Sequence, residues 1–354
     1  MTKKSKLPDS LFKASPWSKN STPIWPLSTF VLHRNLKEKL FPEKLDEKEL
    51  NKLKNQIKAV LLNSKVLKNP TFLDIDELSQ RDREYLYEHF NTLQEMKNFR
   101  SGQGFCLDET NNVLITVNFI DHICIHVNDS NSQWDETYKK MNSIDQELNS
   151  FLQFAYTEQF GFLTADPSFC GTGLVIESLL HIPLLLQEKK PIEIIHHMDN
   201  GIMLASLARN LDFTGDIGII QNNYTLGTSE DQIIHLLHTN ALKLMGLEKE
   251  LQQKVEEKPS AVIKDKISRA IGTLTSSFQM DTKEALSALS MIKLGIQLNW
   301  IKGSDIKEVN KLFFDIQRAH LMQLSDVEPD IKELPEHRSH FLKSTLSNLS
   351  LNIK

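Results

Sequence analysis

Hydrophobic and other residues alternate along the segment NNVLITVNFIDHICIHVND. The apolar positions are Val113, Ile115 and Val117, followed after a short break by Ile123, Ile125 and Val127. A period of two is that of β-strands, whose successive side chains point to opposite faces. The segment therefore predicts two paired strands. Further strands are predicted at IGIIQNNYTLG and in the stretch that follows FGFLTADPSFCGTG.

Other segments repeat their apolar residues at helical spacing. FPEKLDEKELNKLKNQIKAVLL carries Leu50, Leu53, Ile57 and Val60 on one side and charges elsewhere, which predicts an amphipathic helix that covers a sheet. Ser143 with Gln146, and Ser229 with Gln232, have the spacing of capping boxes and predict two helix starts. The second of these helices is predicted to run to about residue 256.

After residue 255 the pattern contains helices alone. Helices are predicted in KDKISRAIGTLTSSF, after a capping pair at Asp281 and Glu284, after Ser304, and in PEHRSHFLKSTLSNLSL. We therefore divide the chain into three parts. They are a loosely held arm rich in Lys, Ser and Pro (1–25), an α+β domain (26–255) and an all-α C-terminal domain (256–354).

Composition narrows the class of protein. A chain of 354 residues is long enough for two domains. A net charge of −5 argues against a nucleic-acid surface. The three cysteines are widely spaced and predict free thiols in a reducing compartment, and no N-terminal apolar segment predicts secretion or a membrane anchor. We expect a cytoplasmic protein that binds neither nucleic acid nor membrane.

The tripeptide Gly171, Thr172 and Gly173 has the composition of a tight, ligand-facing turn, yet no cationic side chain stands near it in sequence. Two interpretations remain open: its backbone amides cradle a phosphate, or it is a plain turn that leads into a strand. His196 and His197 would hold a metal only if other ligands converged on them, so no metal site is predicted.

Several segments together resemble the ATP:guanidino phosphotransferase (phosphagen kinase) family, in its bacterial protein-arginine kinase branch. They are PLSTFVLHRN with FPEK, GFCLDETNNVLITVNFIDHICIHV, YTEQFGFLTADPSFCGTGL with HIP, NNYTLGTSEDQI, and KDKISRAIGTL with IKLGIQLNWIKG in the tail. The resemblance implies an antiparallel β-sheet flanked by helices, followed by an all-α domain. It also implies transfer of the γ-phosphoryl group of ATP, with Mg²⁺, to an arginine of a protein, which marks that protein for proteolysis. Adaptor or protease machinery as partner and a homodimer are further implications.

The resemblance breaks at the residues that carry the chemistry. The family strand SSRIRLARN aligns with LSTFVLHRN, which keeps Ser28 and Arg34 but has Thr29 and Val31 in place of two phosphate-binding arginines. Family members have NEEDHIR where this chain has NFIDHIC. The replaced positions here are Phe119 and Ile120 for the two catalytic carboxylates and Cys124 for a third arginine, while Asp121 is kept.

The same pattern continues further along the chain. Val175 and Ala205 stand at two more arginine positions, and Asp166 stands where the family has cysteine. His89 and His181 match family positions near the nucleotide. The phosphoarginine-docking motif RDxxRA of this branch aligns with residues 337–342, which lack it, although Arg338 and Lys343 are candidates for a simpler anion site.

Two main hypotheses follow. Each charge-assisted hydrogen bond to phosphate contributes about 1.5–3 kcal/mol, and a general base contributes about 10²–10⁴ in rate. Replacing the residues that make these contributions should remove nucleotide binding and catalysis. The first hypothesis is therefore a pseudokinase that binds or regulates protein partners in protein quality control. The alternative is an active ATP-dependent protein-arginine kinase with substitute residues. The candidates are Asp121 or Asp166 as base and Arg34 or Arg209 for phosphate. A third hypothesis is recognition of arginine-rich segments without chemistry.

Overall fold

The computed structural model describes residues 5–13, 16–17, 22–90, 99–207, 212–325 and 332–352. The strands are β1 (Leu27–Arg34), β2 (Thr71–Asp74), β3 (Gly104–Leu107), β4 (Val113–Val117), β5 (Ile123–Asp129), β6 (Tyr156–Thr157), β7 (Gly161–Phe162), β8 (Leu174–His181), β9 (Ile202–Ser206), β10 (Ile217–Asn222), β11 (Ile301–Lys302) and β12 (Ser350–Leu351). The α-helices are α1 (Asp9–Lys13), α2 (Glu47–Leu62), α3 (Gln80–Phe90), α4 (Trp134–Leu152), α5 (Pro183–Glu188), α6 (Pro191–Ile195), α7 (Glu230–Glu257), α8 (Ala261–Ser276), α9 (Thr282–Gln297), α10 (Ile306–Asp315), α11 (Arg318–Leu324) and α12 (Leu334–Thr345).

Eight of these strands form one sheet in the order β2-β3-β4-β5-β1-β8-β10-β9, and every neighbouring pair is antiparallel. The predicted pairing of β4 with β5 is confirmed, with Ile115 opposite Ile125. The central strand β1 is buried along its whole length because both faces of the sheet are covered. An antiparallel sheet flanked by helices was the expected fold class.

One face of the sheet packs against helices α2, α4 and α7. The predicted apolar side of α2 lies here, with Leu50, Leu53 and Ile57 buried in the same core as Ile115 and Ile125. Asp46 caps this helix through the backbone N–H of Glu49 at 2.8 Å. The amphipathic pattern and its cap together fix how α2 covers the sheet.

The opposite face, which carries the side chains of Thr29, Val31 and His33 on β1, is called the site face below. At one edge, under β2 to β4, it is covered by a cluster that includes Phe105 and the α3 residues Tyr85, Leu86 and Phe90. At the other edge it is covered by the C-terminal helices. The central positions of β1, β5 and β8 lie between these two coverings.

The C-terminal helices share a hydrophobic core with the sheet. Leu179 on β8 and Ile219 on β10 belong to the same cluster as Ile267, Leu289 and Phe313. The predicted succession of helices after residue 255 is confirmed, apart from the short pair β11 and β12, which the sequence pattern did not reveal.

The predicted helix starts agree with the structure in part. Ser229 and Gln232 form the expected capping box, and Asp281 accepts from the backbone N–H of Glu284 at 2.7 Å. The start predicted at Ser143 is wrong, because α4 begins nine residues earlier, at Trp134, and Ser143 lies inside it. Its hydroxyl donates to the carbonyl of Lys139, four residues back, at 2.9 Å, as hydroxyls within helices do.

The N-terminal arm also differs from the loosely held segment expected. Among its described residues, Leu7 and Leu11 are buried in the cluster beneath β3. Trp17 packs against Phe313 and Phe314, with ring centroids at 5.5 and 4.9 Å. Leu7, Leu11 and Trp17 therefore anchor the described parts of this segment on the site-face side of the sheet, whereas Ile24 and Trp25 at its end are buried in the core on the other face.

No helix in the described part of the chain has the length and apolar character needed to cross a bilayer.

Candidate functional site

The centre of the site face brings together the family's phosphate-binding positions of three strands. Val31 lies directly opposite Val175 on β8, and the Thr29 hydroxyl donates to Asn128 Oδ1 on β5 at 2.8 Å. Cys124 on β5 lies opposite His33, two residues after Val31. Since directly paired residues point to the same face, Thr29, Val31, Cys124 and Val175 all lie on the site face.

These positions provide no charge. Val31, Cys124 and Val175 are buried, and neither valine has a hydrogen-bonding side chain. A triphosphate held by arginines in the family would here face methyl groups and a thiol. Ala205 does not join this group, because β9 lies three strands from β1 in the sheet, where Ala205 is paired with Ile219.

The two positions expected for catalytic carboxylates lie in the turn between β4 and β5. The Phe119 ring is buried and packs against Phe105, with centroids 5.0 Å apart, and against Phe99 at 6.4 Å. Ile120 is half-buried. Asn118 holds the start of this turn in the left-handed region, at φ +61°, while its amide donates to the carbonyls of Leu50 and Gly102.

Asp121 follows in the same turn and has no exposed surface. Its Oδ1 accepts from Asn35 Nδ2 at 2.5 Å and from the backbone N–H of Ala165 at 2.7 Å, and its Oδ2 lies 2.9 Å from His33 Nδ1. Both oxygens are thus occupied by groups that join β1, the turn and the loop after β7. A substitute general base needs a free carboxylate oxygen within reach of a substrate proton. The geometry of Asp121 therefore does not fit the role of base proposed for it.

Arg34 lies on the wrong face to bind a phosphate in the site. Alternation along β1 places His33 on the site face and Arg34 among the helices behind the sheet. There its guanidinium makes two hydrogen bonds to Asp145, at 2.9 and 3.1 Å, and two to the carbonyls of His33 and Thr172. Burial lowers the pKa of Arg34 and the Asp145 carboxylate opposes that effect. The proposed role in phosphate binding is therefore corrected to a structural one.

The two remaining candidate substitutes are Asp166, proposed as a base, and Arg209, proposed as a phosphate ligand. Asp166 is exposed and accepts from the backbone N–H and hydroxyl of Ser168, at 2.9 and 2.7 Å, which caps the short helical turn Pro167–Phe169. It is a capping residue rather than a base. Arg209 lies outside the described residues.

Two amides of the Gly-Thr-Gly turn donate to carbonyls within the protein. The N–H of Gly171 donates to Phe162 O at 3.2 Å, and the N–H of Thr172 donates to Thr225 O at 3.3 Å. A Cβ on Gly171, at φ +108°, would lie 2.4 Å from Thr225 O, so only glycine fits. The amides of Gly171 and Thr172 are therefore engaged within the protein, as the interpretation of a plain turn expects.

The two histidines expected near a nucleotide are fully buried. His181 lies 2.8 Å from the hydroxyl of Ser290, which itself donates to Asp216 at 2.5 Å, so His181 Nε2 carries the proton in that bond. The His89 ring is nearly parallel to the rings of Tyr85 and His320, 5.8 Å from each centroid, and those two rings stack on each other at 3.9 Å. Burial lowers the pKa of both imidazoles well below the usual value, so both are neutral.

His89 lines an apolar cavity of about 210 Å³ between α3 and the C-terminal helices, together with Trp17, Phe313 and Phe314.

Ser28 lies on the face of the sheet that packs against α2, α4 and α7, where its hydroxyl accepts from Trp25 Nε1 at 2.9 Å, so it does not face the site. Its role as a nucleotide-binding residue is corrected accordingly.

The C-terminal anion site suggested for Arg338 and Lys343 is also not formed. Arg338 is buried and donates to the carbonyls of Ile316 and Met280, both at 2.8 Å. Lys343 lies over the ring of Phe278, 4.6 Å from its centroid. Arg338 therefore joins α12 to the segments before α9 and α11.

Sequence reasoning predicted no metal site and missed one cluster of donor atoms. Among the described residues, His33, Asp121 and Cys124 are the one group of three potential ligands whose atoms all lie within 4.8 Å of one another. His197, by contrast, lies 2.8 Å from the ammonium of Lys189. The cluster depends on the register of β1 and β5, which pairs His33 with Cys124. Neither strand's sequence alone reveals that register.

Two family models match the chain. Residues 52–251 match the ATP:guanido phosphotransferase, C-terminal catalytic domain, and residues 260–353 match the protein-arginine kinase McsB C-terminal domain. The chain is 31% identical over 335 residues to the protein-arginine kinase of Chlamydia pneumoniae, covering 94% of this chain and 93% of the relative. It is 28% identical to that of Clostridium acetobutylicum, covering 89% and 94%.

Solved structures of guanidino kinases share the fold. A lombricine kinase has a TM-score of 0.58 at 16% identity, covering 71% of this chain and 73% of that one. The substrate-free duplicated taurocyamine kinase from Schistosoma mansoni has a TM-score of 0.58 at 22% identity, covering 80% of this chain and 42% of that one.

Proposed function

Because the chain belongs to the ATP:guanido phosphotransferase family, in its protein-arginine kinase branch, we propose that it is a pseudokinase of that branch, which has lost phosphotransfer and acts by binding protein partners. The observation that carries the proposal is the position of Phe119. Its ring fills the space beside Phe105 where the family places a carboxylate, and the side chain is only 7% exposed. No carboxylate is left at this position to orient and deprotonate a guanidinium.

The phosphate side of the site supports the same proposal. Thr29, Val31, Cys124 and Val175 take the places of four arginines, and the first is bonded to Asn128. Even a partial loss of charge-assisted hydrogen bonds, at about 1.5–3 kcal/mol each, weakens triphosphate binding by several powers of ten. Both halves of the reaction therefore lack their usual side chains.

The proposed partners are proteins of the adaptor or protease machinery that protein-arginine kinases serve, with a homodimer as the proposed state of assembly. The preserved sheet and C-terminal helices would then act as a recognition scaffold. Chemical cross-linking in cells, followed by mass spectrometry, and light scattering of the purified chain test these two proposals separately.

A second function, an active protein-arginine kinase that uses ATP and Mg²⁺, is favoured by one observation. The relatives that align over nearly the whole chain, including that of Chlamydia pneumoniae, carry the name protein-arginine kinase. Since the described substitutes Arg34, Asp121 and Asp166 are engaged elsewhere, this function would need residues that come to the site from outside the described part of the chain.

Calorimetric titration with MgATP and MgADP, paired with a mass-spectrometric assay for phosphoarginine, tests the proposal. The Chlamydia pneumoniae relative, studied in parallel, is the matched positive control. We expect no binding heat at about 1 mM nucleotide, a concentration that corresponds to only about −4 kcal/mol, and no phosphoarginine. Micromolar nucleotide binding together with phosphoarginine formation would instead establish the kinase, provided that the activity copurifies with the chain.

A further inference from the structure

We propose that His33, Asp121 and Cys124 form a transition-metal site whose preferred ion is Zn²⁺, coordinated by one imidazole, one carboxylate and one thiolate. The inference rests on the geometry of these three residues and does not depend on the proposed loss of phosphotransfer. All three are buried, and their ligand atoms lie within 4.8 Å of one another.

The backbone brings the three donors together. His33 on β1 and Cys124 on β5 are direct partners in an antiparallel pair and point to the site face. Asp121 lies in the turn just before β5 and reaches the same point from the side. The register of the sheet, rather than flexible loops, thus fixes two of the three ligands.

The distances are those of ligands around one ion. His33 Nδ1 lies 2.9 Å from Asp121 Oδ2 and 3.3 Å from Cys124 Sγ. With Zn–N and Zn–O bonds of about 2.0–2.1 Å and Zn–S of about 2.3 Å, tetrahedral ligand atoms are roughly 3.3–3.7 Å apart. Movements of a few tenths of an ångström in the side chains would admit the ion among the three donors.

Supporting groups orient two of the ligands. The other oxygen of Asp121 is held by Asn35 Nδ2 and by the backbone N–H of Ala165, which leaves Oδ2 directed at the cluster. The His33 imidazole stacks on the ring of Phe169, with centroids 4.8 Å apart and planes at 21°. Such outer contacts fix ligand orientation in metal sites and raise the affinity.

The donor types select the metal. A thiolate with an imidazole favours Zn²⁺ over the oxygen-seeking Mg²⁺ and Ca²⁺, and three protein donors leave a fourth position for water or a small ligand. Two of the donors replace other residues of the aligned family motifs, since His33 stands at an alanine and Cys124 at an arginine. An arginine at the second position would repel a cation, so the site belongs to this chain rather than to the family pattern.

Titration of the metal-free, full-length chain with Co²⁺ and then Zn²⁺ tests the proposal. We expect one Co²⁺ per chain, with a thiolate-to-cobalt charge-transfer band that disappears when Zn²⁺ is added. Zn²⁺ is also expected to raise the midpoint of urea unfolding, since it binds the folded state. Inductively coupled plasma mass spectrometry of the protein purified without chelator gives the metal it carries.

Cys124→Ser and His33→Ala should each lower the Zn²⁺ affinity at least about 100-fold, more than the loss of an outer-sphere contact. Cys106→Ser and Cys170→Ser are the matched controls, and both should keep the cobalt band, since neither cysteine belongs to the cluster of three donors. Cys106 lies on the face of the sheet that packs against α2, α4 and α7. Circular dichroism establishes that each variant is folded. If Cys124→Ser does not fold, His33→Ala and the wild-type spectrum decide the matter.

Two results would overturn the site. One is a wild-type chain that binds no Co²⁺ or Zn²⁺ at micromolar concentration, which would leave a metal-free hydrogen-bonded cluster. The other is a cobalt spectrum that lacks the thiolate band or survives Cys124→Ser, which would place the metal elsewhere.

Discussion

Arg34 and Asp145 join strand β1 to helix α4 through two parallel hydrogen bonds, from Nε to Oδ1 at 2.9 Å and from Nη2 to Oδ2 at 3.1 Å. The same guanidinium lies over the ring of Phe162, 3.5 Å from its centroid, and donates to the carbonyls of His33 and Thr172. The one arginine of the aligned β1 motif that this chain keeps thus connects the sheet, a helix and the Gly-Thr-Gly turn.

Replacing Arg34 with Met should reduce the free energy of unfolding by about 3–5 kcal/mol, because it leaves the Asp145 carboxylate buried without its partner. Urea unfolding followed by circular dichroism measures the loss. Arg269→Met is the control, since Arg269 pairs with Asp265 on the surface and its removal should change stability little. Equal effects of the two substitutions would refute the structural role of Arg34.

Gly173→Ala should destabilise the fold by about 1–2 kcal/mol or more, because the residue is at φ +68° and its new Cβ would lie 2.7 Å from His33 O. Gly272→Ala is the matched control, since Gly272 lies within α8 and nothing approaches its Cβ within 4 Å. The control should gain about 0.5–1 kcal/mol from the higher helix propensity of alanine. A neutral Gly173→Ala would mean that the turn is not fixed by the contacts described.

Restoring the family carboxylates should have unequal effects on stability. Phe119→Glu places a carboxylate among Phe105 and Phe99 and should cost about 3 kcal/mol or more, while Ile120→Glu, at a half-buried position, should cost about 1 kcal/mol or less. Neither should restore phosphotransfer, since the arginine positions remain uncharged. Thermal unfolding measures the change in stability, and the phosphoarginine assay measures phosphotransfer. Activity gained by Ile120→Glu alone would contradict the proposed pseudokinase.

Lys293 gives the chain a predictable dependence on pH. It is fully buried in α9 near the rings of Trp17 and Phe313, at 5.9 and 5.8 Å, and its ammonium has no hydrogen-bond acceptor in the part of the chain that the structure describes. Burial lowers its pKa from 10.5 to about 7. Between these two values the unfolded chain binds the extra proton, so the free energy of unfolding should rise with pH through that window.

The substitution Lys293→Met isolates this effect. The variant should be more stable than the wild type near pH 7, with a difference that shrinks by about 1.4 kcal/mol per pH unit as the pH rises above 7. Buried carboxyl groups with raised pKa values, such as Glu88 and Glu248 at about 7, are common to both proteins and cancel in the comparison. Urea unfolding at several pH values measures the gap. A gap that does not change with pH would show that Lys293 is not neutralised by folding, and exposed Lys249→Met serves as the control.

Local patterns predicted most of the elements. The alternation at residues 113–127 gave β4 and β5, the helical spacing gave α2, and the pair Ser229 and Gln232 gave the start of α7. The false start at Ser143 shows the limit of such signals, since a serine inside a helix satisfies its hydroxyl on the preceding turn. A capping-box spacing alone cannot distinguish these two environments.

The candidate site was predictable by alignment, but the use of its residues was not. Alignment located the buried positions Val31, Phe119 and Val175, because a known motif fixes each one along the chain. It could not show that the Arg34 side chain is engaged by Asp145, 111 residues away, nor that His33 meets Cys124. Such pairings depend on strand register and helix placement, which form only when the whole chain folds.

The shared core between the sheet and the C-terminal helices has a consequence for synthesis of the protein. Asn310 Nδ2 donates to the carbonyl of Trp17, 293 residues earlier, and Glu88 accepts from the backbone N–H groups of Ala319 and His320. As the chain leaves the ribosome, Leu179 and Ile219 therefore stay uncovered until the last helices emerge. Folding of this protein can therefore be completed only after the C-terminal helices have been synthesised, and we expect chaperones that shield apolar segments to contact these strands until then.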